Sequence, residues 1–116
     1  MHVLFIVLND VDSIDDILSG FVREGISGAT ILDSQGMGSA IVNNDNRNVP
    51  LFSTLRMLLS DSHPYSKTIF TVLENEKMVD KAVAVVQEVA DGISSTGVGF
   101  MFTVPIGKVY QMKCED

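Results

Sequence analysis

Two runs of this chain, Val3-Leu4-Phe5-Ile6-Val7-Leu8 and Phe100-Met101-Phe102, are apolar at consecutive positions instead of alternate ones. Successive side chains of a β-strand point to opposite faces of its sheet, so such a run predicts a strand buried on both sides. The first run is short, has no basic residues before it and ends at Asn9-Asp10, which sets it apart from a secretory leader. Any fold for the chain must therefore cover both faces of its sheet. With 116 residues and 46% of them hydrophobic, the chain has material for one domain and one core, over residues 1–116.

The elements follow in order along the chain. Ser13 is placed to cap a helix, with Asp16 three residues on, and Ile14, Ile17, Leu18, Phe21 and Val22 keep the spacing of one helical face. Gly25 is placed to end it as the glycine just past the last turn. A short second strand is expected over Ala29 to Leu32, closed by Asp33-Ser34-Gln35-Gly36, and a third over Ser66 to Leu73. Asn75 opens a second helix with Val79, Ala82, Val83, Val86 and Val89 on one face, ended by Asp91-Gly92. Phe100 to Val104 gives the fourth strand, and Lys108 to Met112 a last short one.

A βαββαβ order folds most simply as a ferredoxin-like α/β sandwich, an α+β arrangement with two helices on one face of a four-stranded antiparallel sheet. The opposite sheet face then has no helix over it. Monomers tolerate exposed apolar patches of only roughly a few hundred Å², so the expected cover is another copy of the chain.

Charge narrows the choice of partner. Eight basic residues against fifteen acidic ones give a formal charge of −7, which repels nucleic-acid phosphates and anionic lipid. No stretch approaches the roughly 18 apolar residues of a membrane span. Cys114 is the single cysteine, so neither an internal disulfide nor a thiolate metal cage can form, which fits the cytoplasm.

Chemistry-bearing motifs are few. His2 and His63 have no partner at metal-ligand spacing, and Asp10, Asp12, Asp15 and Asp16 fall where carboxylates favour a helix start. No nucleophile elbow, P-loop lysine or His-Glu-x-x-His motif occurs, so a binding protein is expected and not an enzyme. Two glycine pairs remain, Gly36-Met37-Gly38 and Gly97-Val98-Gly99, each readable as turn geometry or as backbone amides turned toward an anion. Between the second and third strands lies a segment, 35–65, far longer than the roughly 4–6 residues of an ordinary connection. Its first half is Asn-rich, while Pro50, Leu51, Phe52, Leu55, Leu58 and Leu59 have the spacing of a short amphipathic helix.

At these residues the chain resembles the PII signal-transduction family, trimeric nitrogen-regulatory proteins of ferredoxin-like fold. Asp15-Asp16-Ile17-Leu18, Gly25-Ile26-Ser27-Gly28-Ala29-Thr30 and Gly36-Met37-Gly38 are similar to that family's first helix, second strand and the Gly-Phe-Gly opening its T-loop. Val79-Asp80 falls in its second helix, and Gly97-Val98-Gly99 resembles the Gly-Asp-Gly of its B-loop. The resemblance spans nearly the whole chain. It implies a homotrimer that takes an adenine nucleotide in the clefts between subunits, with Gly36, Gly38, Gly97 and Gly99 lending backbone and Lys67 and Lys113 lending charge. It also implies that the 35–65 segment, as the T-loop, docks a target protein such as a transporter or an enzyme, and the apolar stripe of Leu51, Phe52, Leu55 and Leu58 is expected to meet that partner or to pack on the trimer itself.

The departures bear on the ligand. Phe100 and Gln111 stand where the family has basic residues, Ser39-Ala40 replaces Arg-Gln, and no tyrosine lies at the tip of the long segment. Each lost charged contact to a phosphate forfeits about 1.5–3 kcal/mol, so weak binding of ATP and ADP is expected. Two rival readings share the architecture: a metal-ion-binding trimer similar to the CutA family, and a scaffold that closes an oligomer without any ligand.

Overall fold

The computed structural model describes residues 1–37, 66–93 and 97–113. Their elements are β1 (His2–Leu8), α1 (Ile14–Arg23), β2 (Thr30–Ser34), β3 (Ser66–Leu73), α2 (Glu76–Asp91) and β4 (Gly99–Pro105), with a single 3-10 turn over Val11–Ser13. The strands form one four-stranded sheet in the order β2-β3-β1-β4, and every neighbouring pair is antiparallel. This is the ferredoxin-like α+β sandwich.

Strand alternation sorts the sheet into two apolar faces. Leu4, Ile6 and Leu8 of β1, with Ile69 and Leu73 of β3, are buried in one core with Ile14, Ile17 and Phe21 of α1 and Ala82, Val85 and Val86 of α2. Both helices therefore lie on that face. The odd-numbered residues of β1 point the other way, and Phe5 is flanked across the strands by Phe70 of β3 and Phe102 of β4. Their rings form a row: Phe5 stands 5.8 Å from Phe70 and 5.1 Å from Phe102, and Phe102 stands 6.1 Å from Phe100. Both helices leave this second face free, and Phe100, Phe102 and Val104 are exposed there at 63%, 45% and 39%.

Local chemistry sets the helix ends. Asn75 is extended, and its side chain accepts a hydrogen bond from the Met78 amide at 2.9 Å, which satisfies a donor that the first turn of α2 leaves free. At the end of α1 the chain turns through Gly25 at φ +82°, the Gly25 amide reaching the Val22 carbonyl and the Ile26 amide the Phe21 carbonyl. That pair of hydrogen bonds is the Schellman closure, and it brings Ile26 back into the core beside Phe21. Ser13 behaves differently from expectation. Its hydroxyl donates back to the Asp10 carbonyl, and the capping acceptor is the Asp10 side chain, which takes the Asp12 amide.

Three further expectations are corrected. β2 begins at Thr30 and runs through Asp33 and Ser34, which were expected to form a turn; both are held by partners on β3. Val22 is 72% exposed because α1 packs through the narrower stripe of Ile14, Ile17 and Phe21, and on α2 the buried stripe is Ala82, Val85 and Val86, with Val79, Val83 and Val89 at its margin. Lys108 to Met112 forms no strand. The Ile106 amide still reaches the Met1 carbonyl, but past that point Val109 and Gln111 line a groove with Thr30, Phe70 and Val72 without joining the sheet, so strand propensity alone does not make a strand there.

Candidate functional site

The antiparallel register lines up four residues across the whole sheet: Gly99 of β4 opposite Leu8 of β1, Leu8 opposite Lys67 of β3, and Lys67 opposite Asp33 of β2. This row marks the end of the sheet at which the chain leaves β2 and re-enters β3. With strands about 4.8 Å apart, it places Gly99 about 10 Å from Lys67. Gly36 follows the end of β2 by two residues, and Gly97 precedes β4 by two, so four of the residues singled out in the sequence gather at this one end.

Each glycine has its own reason to be there. An added Cβ at Gly99 would come within 2.1 Å of the Val7 carbonyl oxygen, so this glycine is required by the close approach of β1. Gly97 has φ +74°, a backbone state that favours glycine, and its carbonyl accepts from the Asn9 side chain at 3.0 Å. The Val98 carbonyl takes the Asn9 amide at 2.8 Å, which ties this turn to the end of β1. Turn geometry thus accounts for the second pair. Gly36 differs, since a Cβ there would meet nothing within 4 Å and its φ is not positive.

Lys67 is not free. Its ammonium lies 2.6 Å from an Asp33 carboxylate oxygen, with the two side chains 38% and 87% exposed. On the other face of the same two strands, Thr68 donates to the Ser34 hydroxyl at 2.9 Å. The Ser34 and Ser66 hydroxyls are 2.8 Å apart, and Ser66 in turn donates to the Ser34 carbonyl. An ion pair and a hydroxyl clasp therefore fasten β2 to β3 where the 35–65 segment begins and ends. Sequence reasoning named Lys67 but missed Asp33, Ser34, Ser66 and Thr68. Their complementarity becomes visible only once the register is known.

Behind the row, between the helices and the β1–β4 pair, lies a cavity of about 230 Å³ walled by Ile6, Leu8, Ile17, Val86, Val89 and Met101. Such a lining offers no charge to a phosphate. Lys113 is exposed, and Gln111 lines a groove at the other end of the sheet with Gly28, Thr30 and Leu73, so the chain does not itself bring its C-terminal positions to the Lys67 row. His2 likewise sits at that far end, opposite Leu73 and Pro105. Gly38, His63, Cys114 and the residues expected to dock a partner, Leu51, Phe52, Leu55 and Leu58, lie outside the described residues. Among the described residues, no three His, Cys, Asp or Glu side chains gather to hold a metal ion, and no helix is long and apolar enough to cross a membrane.

No family model matches the sequence, and no curated protein does. Among solved structures, the chain is similar to PII of Arabidopsis thaliana in a crystal structure with bound citrate: TM-score 0.67 and 16% identity, over 96% of this chain and 81% of that one. The fold of this chain is therefore the PII fold, reached with little of that protein's sequence.

Proposed function

We propose that the chain is a homotrimeric regulatory protein of the cytoplasm that takes a small anionic ligand in clefts between subunits and signals to a partner protein through its 35–65 segment. The observation that carries this reading is the register row, which sets Lys67, Gly99 and the root of the 35–65 segment at one end of a PII-fold sheet. A ligand held there touches the segment's root, so binding shifts the segment between conformations and changes which partner it docks. The uncovered aromatic face supports assembly, because three copies packed face to face would remove Phe5, Phe70 and Phe102 from water. The chain binds and transmits; it does not catalyse.

The ligand class follows from charge. Citrate is bound by the similar Arabidopsis protein, and one lysine pairs with a single carboxylate or phosphate group, whereas the triphosphate of ATP calls for several cations along its length. Lys67 with backbone amides suits a carboxylate or a single phosphate, and ATP or ADP is the weaker ligand. Lys113 of one copy would complete the cleft of the next. Leu51, Phe52, Leu55 and Leu58 are the residues proposed to meet the partner.

Light scattering after size exclusion, with calorimetry against citrate, AMP, ADP and ATP, tests the reading. A trimer that binds one of these anions and loses it on Lys67→Ala supports it; a stable monomer, or anion binding indifferent to Lys67→Ala, overturns it. Leu55→Asp with Leu58→Asp should leave the trimer's mass unchanged while removing the partner.

A further inference from the structure

We propose that Asp33 is a built-in competitor for the ligand: its carboxylate occupies Lys67 in the free protein, and an anion binds by displacing it. This rests on the reading of Lys67 as the anion-binding cation. The geometry is direct, with the Lys67 ammonium 2.6 Å from one Asp33 oxygen, a distance at which the carboxylate already takes the place a ligand carboxylate or phosphate would have. The pairing is fixed by the fold, since Asp33 and Lys67 stand opposite each other in the β2–β3 register. The hydroxyl clasp of Ser34, Ser66 and Thr68 beside it keeps that register from slipping.

Exposure makes the competition reversible. Asp33 is 87% exposed and can swing into solvent without an uncompensated burial, while Lys67, at 38%, stays anchored along the strand. A pair this exposed yields to a ligand easily, and its cost to affinity is small. Asp33 also repels an incoming anion while it remains nearby, and that repulsion adds to the cost. Release of Asp33 ties ligand occupancy to β2, whose next residues are the root of the 35–65 segment.

Calorimetry with citrate and with ATP on four proteins tests this: wild type, Asp33→Asn, Lys67→Met, and the double variant. Asp80→Asn, at an exposed position in the second turn of α2 and so toward the Leu73 end of the sheet, removes the same formal charge away from the pair. Asp33→Asn should tighten citrate about three- to tenfold at low ionic strength, and 0.5 M salt should cut the gain to about twofold or less. Lys67→Met should abolish the gain in the double variant. Equal gains from Asp33→Asn and Asp80→Asn, or no gain with wild-type binding still dependent on Lys67, overturn the competitor while leaving the binding reading in place. No binding of either anion by wild type or Asp33→Asn overturns both.

Discussion

Phe5 and Phe102 stack at 5.1 Å with their rings 13° from parallel, on the face of the sheet opposite both helices. They sit directly across the β1–β4 pair, and the row extends to Phe70 on one side and Phe100 on the other. Aromatic pairs contribute about 0.5–1.5 kcal/mol beyond the area they bury. A stack left in water would forgo most of that burial, so this row is the energetic centre of the proposed assembly.

Phe102→Asp should dissociate the assembly or unfold it, because a carboxylate buried without a partner costs several kcal/mol against a total stability of about 5–15 kcal/mol. Phe102→Leu should keep the mass of the wild type and lose about 1 kcal/mol. Light scattering and thermal melts read both, and an Asp variant with wild-type mass and melting temperature would show that the face is not an interface.

Gly99→Ala and Gly36→Ala should separate sharply. The first drives a Cβ to within 2.1 Å of the Val7 carbonyl oxygen and should cost about 2–3 kcal/mol as β4 shifts from β1. The second places a methyl group in open space and should change stability by less than about 0.5 kcal/mol. Denaturant titration decides, and equal effects would contradict the β1–β4 geometry.

At the crossing of the two helices, a Cβ on Gly20 would lie 2.5 Å from a Val85 methyl carbon. Gly20→Ala gains about 1 kcal/mol of helix propensity but overpacks a β-branched neighbour, a cost of about 1–3 kcal/mol. The single variant should lose stability, and Val85→Ala in the same chain should restore part of it, with a coupling of about 1 kcal/mol in a double-mutant cycle. Purely additive effects would mean that the helices do not meet there.

Asn75→Ala removes the acceptor of the Met78 amide and should cost about 1 kcal/mol, whereas Asn75→Asp should keep the cap. Thermal denaturation of both variants checks this, with equal loss in the two pointing away from capping.

The strands β1 and β3 were legible because their residue types announce burial without reference to anything distant, and Gly25 and Asn75 because capping is local. The end of β2 was not. Asp33 and Ser34 are turn-formers by propensity, and what makes them strand residues is Lys67 and Ser66, far along the chain. Lys108 to Met112 failed in the opposite sense, having strand propensity but no place in the sheet order. The site divides the same way: Gly36, Gly97 and Gly99 carry local signals and Lys67 was reached through the family resemblance, while the Asp33 carboxylate that holds Lys67 belongs to a cross-strand pair that only the register creates.

The clasp between Ser34 and Ser66 has an evolutionary consequence. It fixes where the intervening segment leaves the sheet and where it returns, whatever lies between. Doubling the length of a loop adds only about 0.6 kcal/mol of closure entropy, so insertions and deletions there would leave the anchoring strands in register. Descendants of such a chain can rewrite this stretch alone, with the sheet beneath it passed on unchanged.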